Sequence, residues 1–261
     1  MKEKSLLWEL SINDGLRSYV FGTIHINNDL AFKHAKKAIN AIQQCDQFFA
    51  EINLDEAQNQ LSPAVYFLPD DKVLKDYLSP KKLKKIRKSL LKSFDLDIRP
   101  YEKLLPIMLT NKISESVLNS KGGRTLDQAL WDEARRLRLE TDGLETLEEQ
   151  LDILGSLDIK DQLQSLVAIA KNTSKIRKTT EKLAICYQEQ DIYKLHRLSR
   201  KSLGKMRQSL LYNRNEIMSN RIITKLDRKS FFAIGTGHLA GNKGVLALLK
   251  RQGISINAVK G

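Results

Sequence analysis

Short apolar runs rich in β-branched and aromatic residues lie near both ends of the chain, whereas the middle repeats apolar residues every three to four positions. The first pattern predicts strands and the second predicts amphipathic helices. Asn13-Asp14-Gly15, between the first two runs, is typical of a hairpin turn. Strands are predicted over residues 6–10, 17–24, 47–52, 230–234 and 254–259, with a strand or turn at 139–144.

Helix signals fill the rest of the chain. Asp29 and Thr125 are suitable N-caps, and Ser79-Pro80 combines an N-cap with a proline at the first helical position. A helix is therefore expected to start at Pro80, and others are predicted over residues 31–44, 101–118, 125–138, 146–154, 158–186, 189–202, 205–226 and 243–251.

The order of these elements indicates the fold class. Strands lie at the two ends of the sequence and helices occupy the middle, which favours an α+β fold with one mixed central β-sheet built by the N- and C-terminal parts. We predict a single domain over residues 1–261, with sheet-forming parts at about 5–60 and 138–261 and a large helical insertion at about 60–137.

Basic residues outnumber acidic ones, which gives a formal net charge of +13. Much of it is helical lysine, as in residues 80–92, where apolar residues keep helical spacing and basic residues take the other faces. We interpret this stretch as a solvated helix face. A second basic stretch is interpreted in the same way, and without a recognisable motif nucleic acid is not an expected partner. That second stretch contains Arg197, Arg200, Lys201, Lys205 and Arg207.

The sequence offers few signs of export. No run approaches 18 apolar residues, so no transmembrane helix is expected. The apolar run after residues 1–5 is too short for a signal peptide, so we expect a cytoplasmic chain as given, and a secreted or periplasmic one had a leader been removed. Cys45 and Cys186 are expected to be reduced and buried. Oligomeric state is not predicted.

One short pattern occurs twice. Residues 19–25 read YVFGTIH and residues 231–238 read FFAIGTGH, each an apolar strand followed by Gly-Thr-x-His. Ligands bind beyond the carboxyl ends of strands in open α/β sheets, and a helix N-terminus there offers free N–H groups. Histidine in that place can bind a metal or transfer protons. If the two strands are neighbours, His25 and His238 reach one pocket.

Two carboxylates follow other predicted strands. Glu51 ends the strand at 47–52, and Glu145 follows the candidate strand at 139–144. Two histidines with carboxylates suit a divalent metal ion (Zn, Mn or Co) with an open position for water, and a spare glutamate can act as general base. The alternatives are structural histidines and solvated or helix-capping carboxylates.

Other catalytic signatures are missing from the sequence. Gly235-x-Gly237-x-x-x-Gly241 lacks the following βαβ unit of a dinucleotide site. Neither HExxH nor GxSxG occurs. Besides a metal-dependent hydrolase, two functions stay open: a non-catalytic metal- or haem-binding protein, and a metal-free esterase-like hydrolase.

Several motifs together resemble those of the TraB/PrgY/GumN family, in the family's order and across almost the whole chain. Residues 60–120 add nothing to the resemblance. The matching segments are Leu7-Trp8-Glu9-Leu10, residues 19–25, the strand ending at Glu51, Leu126-Asp127-Gln128-Ala129, residues 143–151, Arg214-Asn215, residues 235–241 and Gly244.

The resemblance implies a fold like that of the erythromycin esterase and ChaN-like proteins. It also implies kinship with the TIKI proteins, which are regarded as metal-dependent proteases, and hence a metallopeptidase-like hydrolase acting on a peptide or small-molecule substrate. It implies His25, His238, Glu51 and Glu145 as metal ligands, with Glu51, His25, His238 and Arg214 as catalytic residues. Arg214 would bind a substrate carboxylate or stabilise an oxyanion.

The sequence departs from the family pattern in two places. Asn213 stands where an acidic residue is expected before Arg214, which leaves the charge partner of that arginine undetermined. Many relatives carry a secretion leader or lipid anchor, and neither is expected from the sequence as given.

Overall fold

The computed structural model describes residues 3–12, 15–24, 29–59, 66–118 and 124–259. Asn13 and Asp14 of the predicted turn, and His25, lie outside these residues. The strands begin and end within a residue or two of their predicted bounds. They are β1 (Leu7–Ser11), β2 (Arg17–Thr23), β3 (Gln47–Ile52), β4 (Glu140–Glu145), β5 (Ser230–Gly235) and β6 (Ser255–Ala258).

The strands form one sheet in the order β4-β3-β5-β2-β1-β6. The first four in that order run parallel, while β1 pairs antiparallel with β2 and β6 pairs antiparallel with β1. The predicted α+β class and the mixed sheet built from both ends of the chain are confirmed. Because β2, β3, β4 and β5 are parallel, their carboxyl ends meet at one edge, which we call the carboxyl edge.

Aromatic pairs hold β3 beside β5. Phe48 stacks on Phe231 and Phe49 stacks on Phe232, each pair with ring centroids 5.5 Å apart. These residues are also backbone partners across the two strands. Cross-strand aromatic contacts of this kind stabilise a sheet and resist slippage of its register. The register therefore fixes where Glu51 emerges beside the end of β5.

The helices surround the sheet and fill the middle of the chain. Thr125 caps its helix as predicted, accepting a hydrogen bond from the N–H of Gln128 at 3.3 Å. The α-helices are α1 (Asp29–Phe32), α2 (Ala35–Ile42), α3 (Leu54–Asn59), α4 (Leu74–Tyr77), α5 (Pro80–Phe94), α6 (Pro106–Leu118), α7 (Leu126–Arg136), α8 (Leu147–Gly155), α9 (Ile159–Lys171), α10 (Thr173–Gln188), α11 (Ile192–Leu203), α12 (Arg214–Thr224), α13 (Thr236–Leu239) and α14 (Val245–Arg251).

Three predicted helices are interrupted. The helix over 31–44 is split into α1 and α2 by a turn at residues 33–34. The helix over 158–186 is split at Asn172, whose side chain caps α10 by accepting from the N–H of Lys175. The helix over 205–226 consists of a 3-10 turn (Gly204–Met206), a π-helix (Gln208–Asn213) and then α12.

Two apolar cores lie side by side. The sheet core contains the aromatic residues of the strands together with Trp131 and residues of α12 and α14. The helical core contains residues of α5, α6 and α9, among them Leu83, Leu109 and Leu166. Among the described residues, no helix combines the length and apolar character needed to cross a bilayer. Cys45 and Cys186 are buried and free, as predicted.

Candidate active site

A buried ion-pair network lies at the carboxyl edge. Arg214 donates from Nε to Glu145 Oε1 at 3.0 Å and from Nη2 to Glu145 Oε2 at 2.6 Å. The same Nη2 donates to Glu51 Oε2 at 2.7 Å. One guanidinium group thus bridges the carboxylates that end β3 and β4. Bidentate pairs of this kind fix both partners in direction as well as distance.

The charged groups of this network are largely buried. The Glu145 side chain has no exposed surface, and that of Arg214 is 13% exposed. Burial disfavours the charged guanidinium, but the charges of Glu51 and Glu145 and the hydrogen bonds to them outweigh it and raise the pKa of Arg214. Gln150 adds a hydrogen bond to Glu145 Oε2 at 3.1 Å. The arginine therefore keeps its positive charge beside the two carboxylates.

The π-helix determines where Arg214 lies. It ends at Asn213, and α12 begins at Arg214. Short π segments inside helices often occur at functional sites, because they turn neighbouring side chains out of the α-helical register. Asn213 is exposed and accepts a hydrogen bond from Gln208 at 2.7 Å. The charge partners of Arg214 are thus Glu51 and Glu145, and the residue at position 213 is not one of them.

Asn215, the residue after Arg214, orients His238. Asn215 is fully buried, and its Nδ2 donates to the carbonyl oxygen of Lys243 at 2.6 Å. This bond requires the amide group there, so Oδ1 is the atom that faces His238 Nδ1 at 2.6 Å. An amide oxygen only accepts, and Nδ1 must therefore carry the proton. The unprotonated nitrogen of a neutral His238 is then Nε2.

His238 Nε2 faces Glu51. It lies 3.9 Å from Glu51 Oε1, and the His238 side chain is 10% exposed. Glu51 Oε1 also accepts the backbone N–H of Gly235 at 2.6 Å. The end of β5 therefore supplies both the histidine and a donor for the carboxylate beside it.

The two Gly-Thr-x-His segments lie on neighbouring strands. β2 and β5 are parallel partners, with Thr23 opposite Gly235. Thr236 Oγ1 donates to the Thr23 carbonyl at 2.5 Å, and the Tyr187 hydroxyl donates to the Gly22 carbonyl at 2.9 Å. The adjacency assumed from the sequence is confirmed for the strands, whereas His25 lies outside the described residues.

The other two histidines have backbone contacts. His196 Nδ1 lies 2.8 Å from the Gly237 carbonyl, and its pKa is lowered by burial, against the effect of that hydrogen bond. His34 Nε2 lies 3.1 Å from the Gln188 carbonyl. Both fit structural roles, with His196 holding the backbone of the second Gly-Thr-x-His segment.

A cavity of about 540 Å³ opens above these groups. Its polar floor contains Glu51, Arg214 and His238. Its walls are largely apolar and come from both cores, which places the cavity where the two cores meet. Sites for small ligands commonly have this size and this mixture of a few polar groups with apolar walls. The wall residues include Ile107, Leu154, Leu183, Leu195, Leu203 and Leu210.

The donor atoms fit the expected metal ion in part. His238 Nε2 and Glu51 Oε1 face each other in the cavity and are suitable ligand atoms. Both oxygens of Glu145 accept hydrogen bonds from Arg214, and its expected role as a further ligand stays a prediction. Within the described residues, no group of three or more His, Cys, Asp or Glu side chains could hold an ion. His25, the other histidine expected as a ligand, lies outside the described residues.

Sequence reasoning missed two polar residues of the site. Asn215 entered only as part of the matched Arg-Asn pair, and Gln150 only as part of a matched segment. The signal for Asn215 was its place beside Arg214, since adjacent helical residues can serve one site from two directions. Gln150 gave no signal of its own, because polar residues at a helix start are common.

Comparisons with known proteins find relatives that are named as metalloproteases. Metalloprotease TIKI1 of Danio rerio is 24% identical over 97% of this chain and 62% of its own length. Metalloprotease TIKI2 of Danio rerio is 25% identical over 92% of the chain and 58% of its own length. Metalloprotease TIKI1 of Homo sapiens is 28% identical over 58% of the chain. The chain thus spans less than two thirds of the length of these curated relatives.

No solved structure matches this chain significantly. The model of the TraB/PrgY/gumN family matches residues 6–258, which is nearly the full length. The resemblance drawn from the motifs is confirmed by this match, and the chain belongs to the TraB/PrgY/gumN family.

Proposed function

We propose that this protein is a metal-dependent hydrolase that cleaves peptides. One observation carries the proposal: a buried histidine, oriented by Asn215, points Nε2 at Glu51 beside a charged arginine on the floor of an amphipathic cavity. The family membership and the metalloprotease names of the relatives support it.

His25, His238 and Glu51 would hold the ion, and Zn, Mn or Co each suit two imidazoles and a carboxylate. The repeated motif and the pairing of β2 with β5 support the inclusion of His25. A bound divalent ion would supply Lewis-acid polarisation of a substrate carbonyl and activation of water. Glu145, expected from the sequence as a further ligand, is assigned instead to holding Arg214.

The side chains divide the remaining work. Asn215 keeps the proton of His238 on Nδ1 and so directs the Nε2 lone pair into the cavity. Glu51 Oε1 lies 3.9 Å from that nitrogen, while Arg214 and Gln150 engage the oxygens of Glu145. Arg214 lines the cavity, and its Nη1 has no acceptor among the described residues. We assign to it the stabilisation of an oxyanion or of a substrate carboxylate.

The walls of the cavity favour a particular kind of substrate. Leucine and isoleucine side chains surround the polar floor on several sides. Burial of an apolar side chain contributes about 1.5–3 kcal/mol to binding. A peptide with a leucine-like or phenylalanine-like side chain next to the scissile bond is therefore the expected substrate.

The test begins with the metal content of the purified full chain. We expect about one equivalent of a transition metal in the wild type, from the single ligand set proposed. Metal should be lost in the His25→Ala/His238→Ala double variant. His34→Ala serves as the matched control and should retain the metal, because His34 contacts the Gln188 carbonyl and the Tyr187 ring and does not line the cavity.

Hydrolysis is then assayed on peptides that differ only in the size of one apolar side chain. Activity that follows the metal and increases with the size of that side chain supports the proposal. A double variant that binds metal as the wild type does contradicts the ligand assignment. Hydrolysis of esters without any metal in the protein would replace the proposal with the metal-free esterase-like alternative.

A further inference from the structure

A second concavity, which we call the basic cleft, lies on the outer side of α11. Its volume is about 720 Å³. Positions 197, 200 and 201 share one face of α11 because residues three and four apart are neighbours on a helix, and Gly204 follows the last turn of that helix. Leu195, Ser199 and Leu203 of the same helix line the cavity of the active site. The lining of the basic cleft is Arg197, Arg200, Lys201, Gly204, Arg207, Gln208, Tyr212 and Lys243.

Five of these side chains are cationic, and among the described residues none has an acidic partner. Elsewhere on the same surface basic residues are paired, as where Lys205 lies 3.3 Å from Asp161. Within the cleft, Arg207 donates to the Gly204 carbonyl at 2.8 Å, and Lys243 lies 5.0 Å from the centre of the Tyr212 ring. These contacts orient the cations without neutralising them.

Like charges gathered in one concavity repel one another and create a strong local positive potential. Helix polarity accounts for part of the cluster, because Arg200 and Lys201 lie in the last turn of α11, where cations are favoured. It does not account for Arg197, Arg207 or Lys243, which come from a different turn, the π-helix region and the loop before α14. The convergence of three separate segments indicates a binding site rather than a solvated helix face.

We propose that the basic cleft binds a small ligand carrying two or more phosphate groups. Phosphate concentrates charge in a small volume and matches the planar fork of arginine, three of which line the cleft. The cleft lacks aliphatic side chains among its described lining residues, so it offers nothing to an acyl chain. Its one aromatic ring is faced by Lys243, which disfavours stacking of a nucleic acid base. A free oligophosphate fits these features better than a lipid or a nucleic acid.

The experiment titrates tripolyphosphate into the full chain by calorimetry at fixed ionic strength. We expect saturable binding, weakened about tenfold or more in Arg200→Glu/Arg207→Glu, because both cations meet the ligand directly. The matched control is Lys84→Glu/Lys88→Glu. It lowers the net charge by the same amount, at two exposed positions on α5. Arg197→Gln/Arg200→Gln gives the same test should the charge reversal disturb folding.

Selective weakening in the cleft variants supports the proposal. Equal weakening in the control would overturn it, since that result needs only the overall charge. A second titration uses phosphatidylcholine vesicles with and without an anionic phospholipid. Binding to the anionic vesicles without saturable binding of tripolyphosphate would also overturn the proposal, in favour of a membrane surface. The titration requires no hydrolysis, so the outcome is independent of the proposed peptidase.

Discussion

The active-site cavity and the basic cleft share one wall, but they differ in whether their charged side chains are paired. In the active-site cavity, Arg214 is buried and bonded to two carboxylates. In the basic cleft, on the other side of α11 and the π-helix, cations are exposed and have no acidic partner among the described residues. A buried charge must be paired to be tolerated, whereas an exposed one is solvated by water at little cost.

This difference indicates that the charged residues of the two concavities have different roles. The paired charges of the cavity fix the directions of side chains, and each depends on the others for its own stability. The unpaired charges of the cleft contribute little to folding and are available to a ligand. Substitutions in the cavity should therefore change stability and function together, while those in the cleft should change binding with the fold intact.

The largest effect is expected from Arg214→Met. The substitution keeps a long side chain but leaves Glu145 buried without its cation. Loss of one partner of a buried ion pair costs about 3–5 kcal/mol in the free energy of unfolding. Urea denaturation measures it, and Arg200→Met in the basic cleft is the matched control, with an expected change within about 0.5 kcal/mol. Similar losses in the two variants would remove the distinction between the concavities.

A smaller effect on stability and a specific effect on the site are expected from Asn215→Leu. The Lys243 carbonyl and His238 Nδ1 both lose a buried partner, at about 1–3 kcal/mol. Loss of such a supporting contact typically lowers metal affinity about 10- to 100-fold. Asn215→Asp keeps an acceptor for Nδ1 and should retain most of that affinity.

The nitrogen NMR shifts of His238 distinguish orientation from simple destabilisation. In the wild type and in Asn215→Asp, Nδ1 should be the protonated nitrogen of the neutral ring. In Asn215→Leu, the two tautomers should mix. An unchanged Nδ1–H signal in the leucine variant would show that Asn215 does not position the ring.

The sequence predicted the sheet better than the helices, and the reason is physical. Strands such as residues 47–52 are short apolar runs whose aromatic pairs specify both burial and register. Helix interruptions at Asn172 and at residues 208–213 depend on tertiary packing, because the apolar spacing continues through them. Asn172 could have been identified from its capping preference. The π-helix has no comparable local signal.

The sequence predicted where the site lies in the fold better than it predicted the contacts among the side chains of the site. Gly-Thr-x-His at the ends of two strands located the carboxyl edge, and Glu51 followed from the same logic. The bond between Arg214 and Glu145 spans 69 positions in sequence and was not foreseen. The sequence predicts Glu145 as a metal ligand, and the structure adds Arg214 as a partner that the sequence did not indicate.

Glycine substitutions sharpen the description of the cavity floor. A Cβ at Gly22 would lie 2.7 Å from Leu239 Cδ1, whereas one at Gly235 would lie 3.0 Å from Glu51 Oε1. Gly22→Ala should thus lose about 1–3 kcal/mol of stability from overpacking. Gly235→Ala should displace the Glu51 carboxylate by a few tenths of an ångström, with a larger effect on metal binding than on stability.

Gly155→Ala is the control for this pair, since a Cβ there would meet nothing within 4 Å. Thermal unfolding and metal titration of the three variants give the comparison. A Gly235→Ala protein with wild-type metal affinity would show that the exact place of Glu51 is unimportant.

The smallest effect is expected from an ion pair of intermediate exposure, Arg221 with Glu149. Their side chains are 40% and 34% exposed, and the closest atoms are 2.6 Å apart. Hydrogen bonds from Arg221 lower the pKa of Glu149 to about 2 against a smaller opposing effect of burial, with help from the Thr146 N–H. A depressed folded-state pKa adds stability above the unfolded value, near 4.5, and that stability is lost as the pH falls towards 2.

Glu149→Gln isolates this contribution, because glutamine can replace glutamate in the capping box with Thr146. Solvent screening limits the loss to less than about 1 kcal/mol at neutral pH. Urea unfolding at pH 7 should give the wild type a higher free energy of unfolding than the variant. This difference in free energy should become smaller at pH 3 and in high salt. A loss in the free energy of unfolding as large as that of Arg214→Met would mean that a partly buried ion pair stabilises the fold as much as a buried one. A margin near zero at both pH values would place this pair with the exposed charges of the basic cleft.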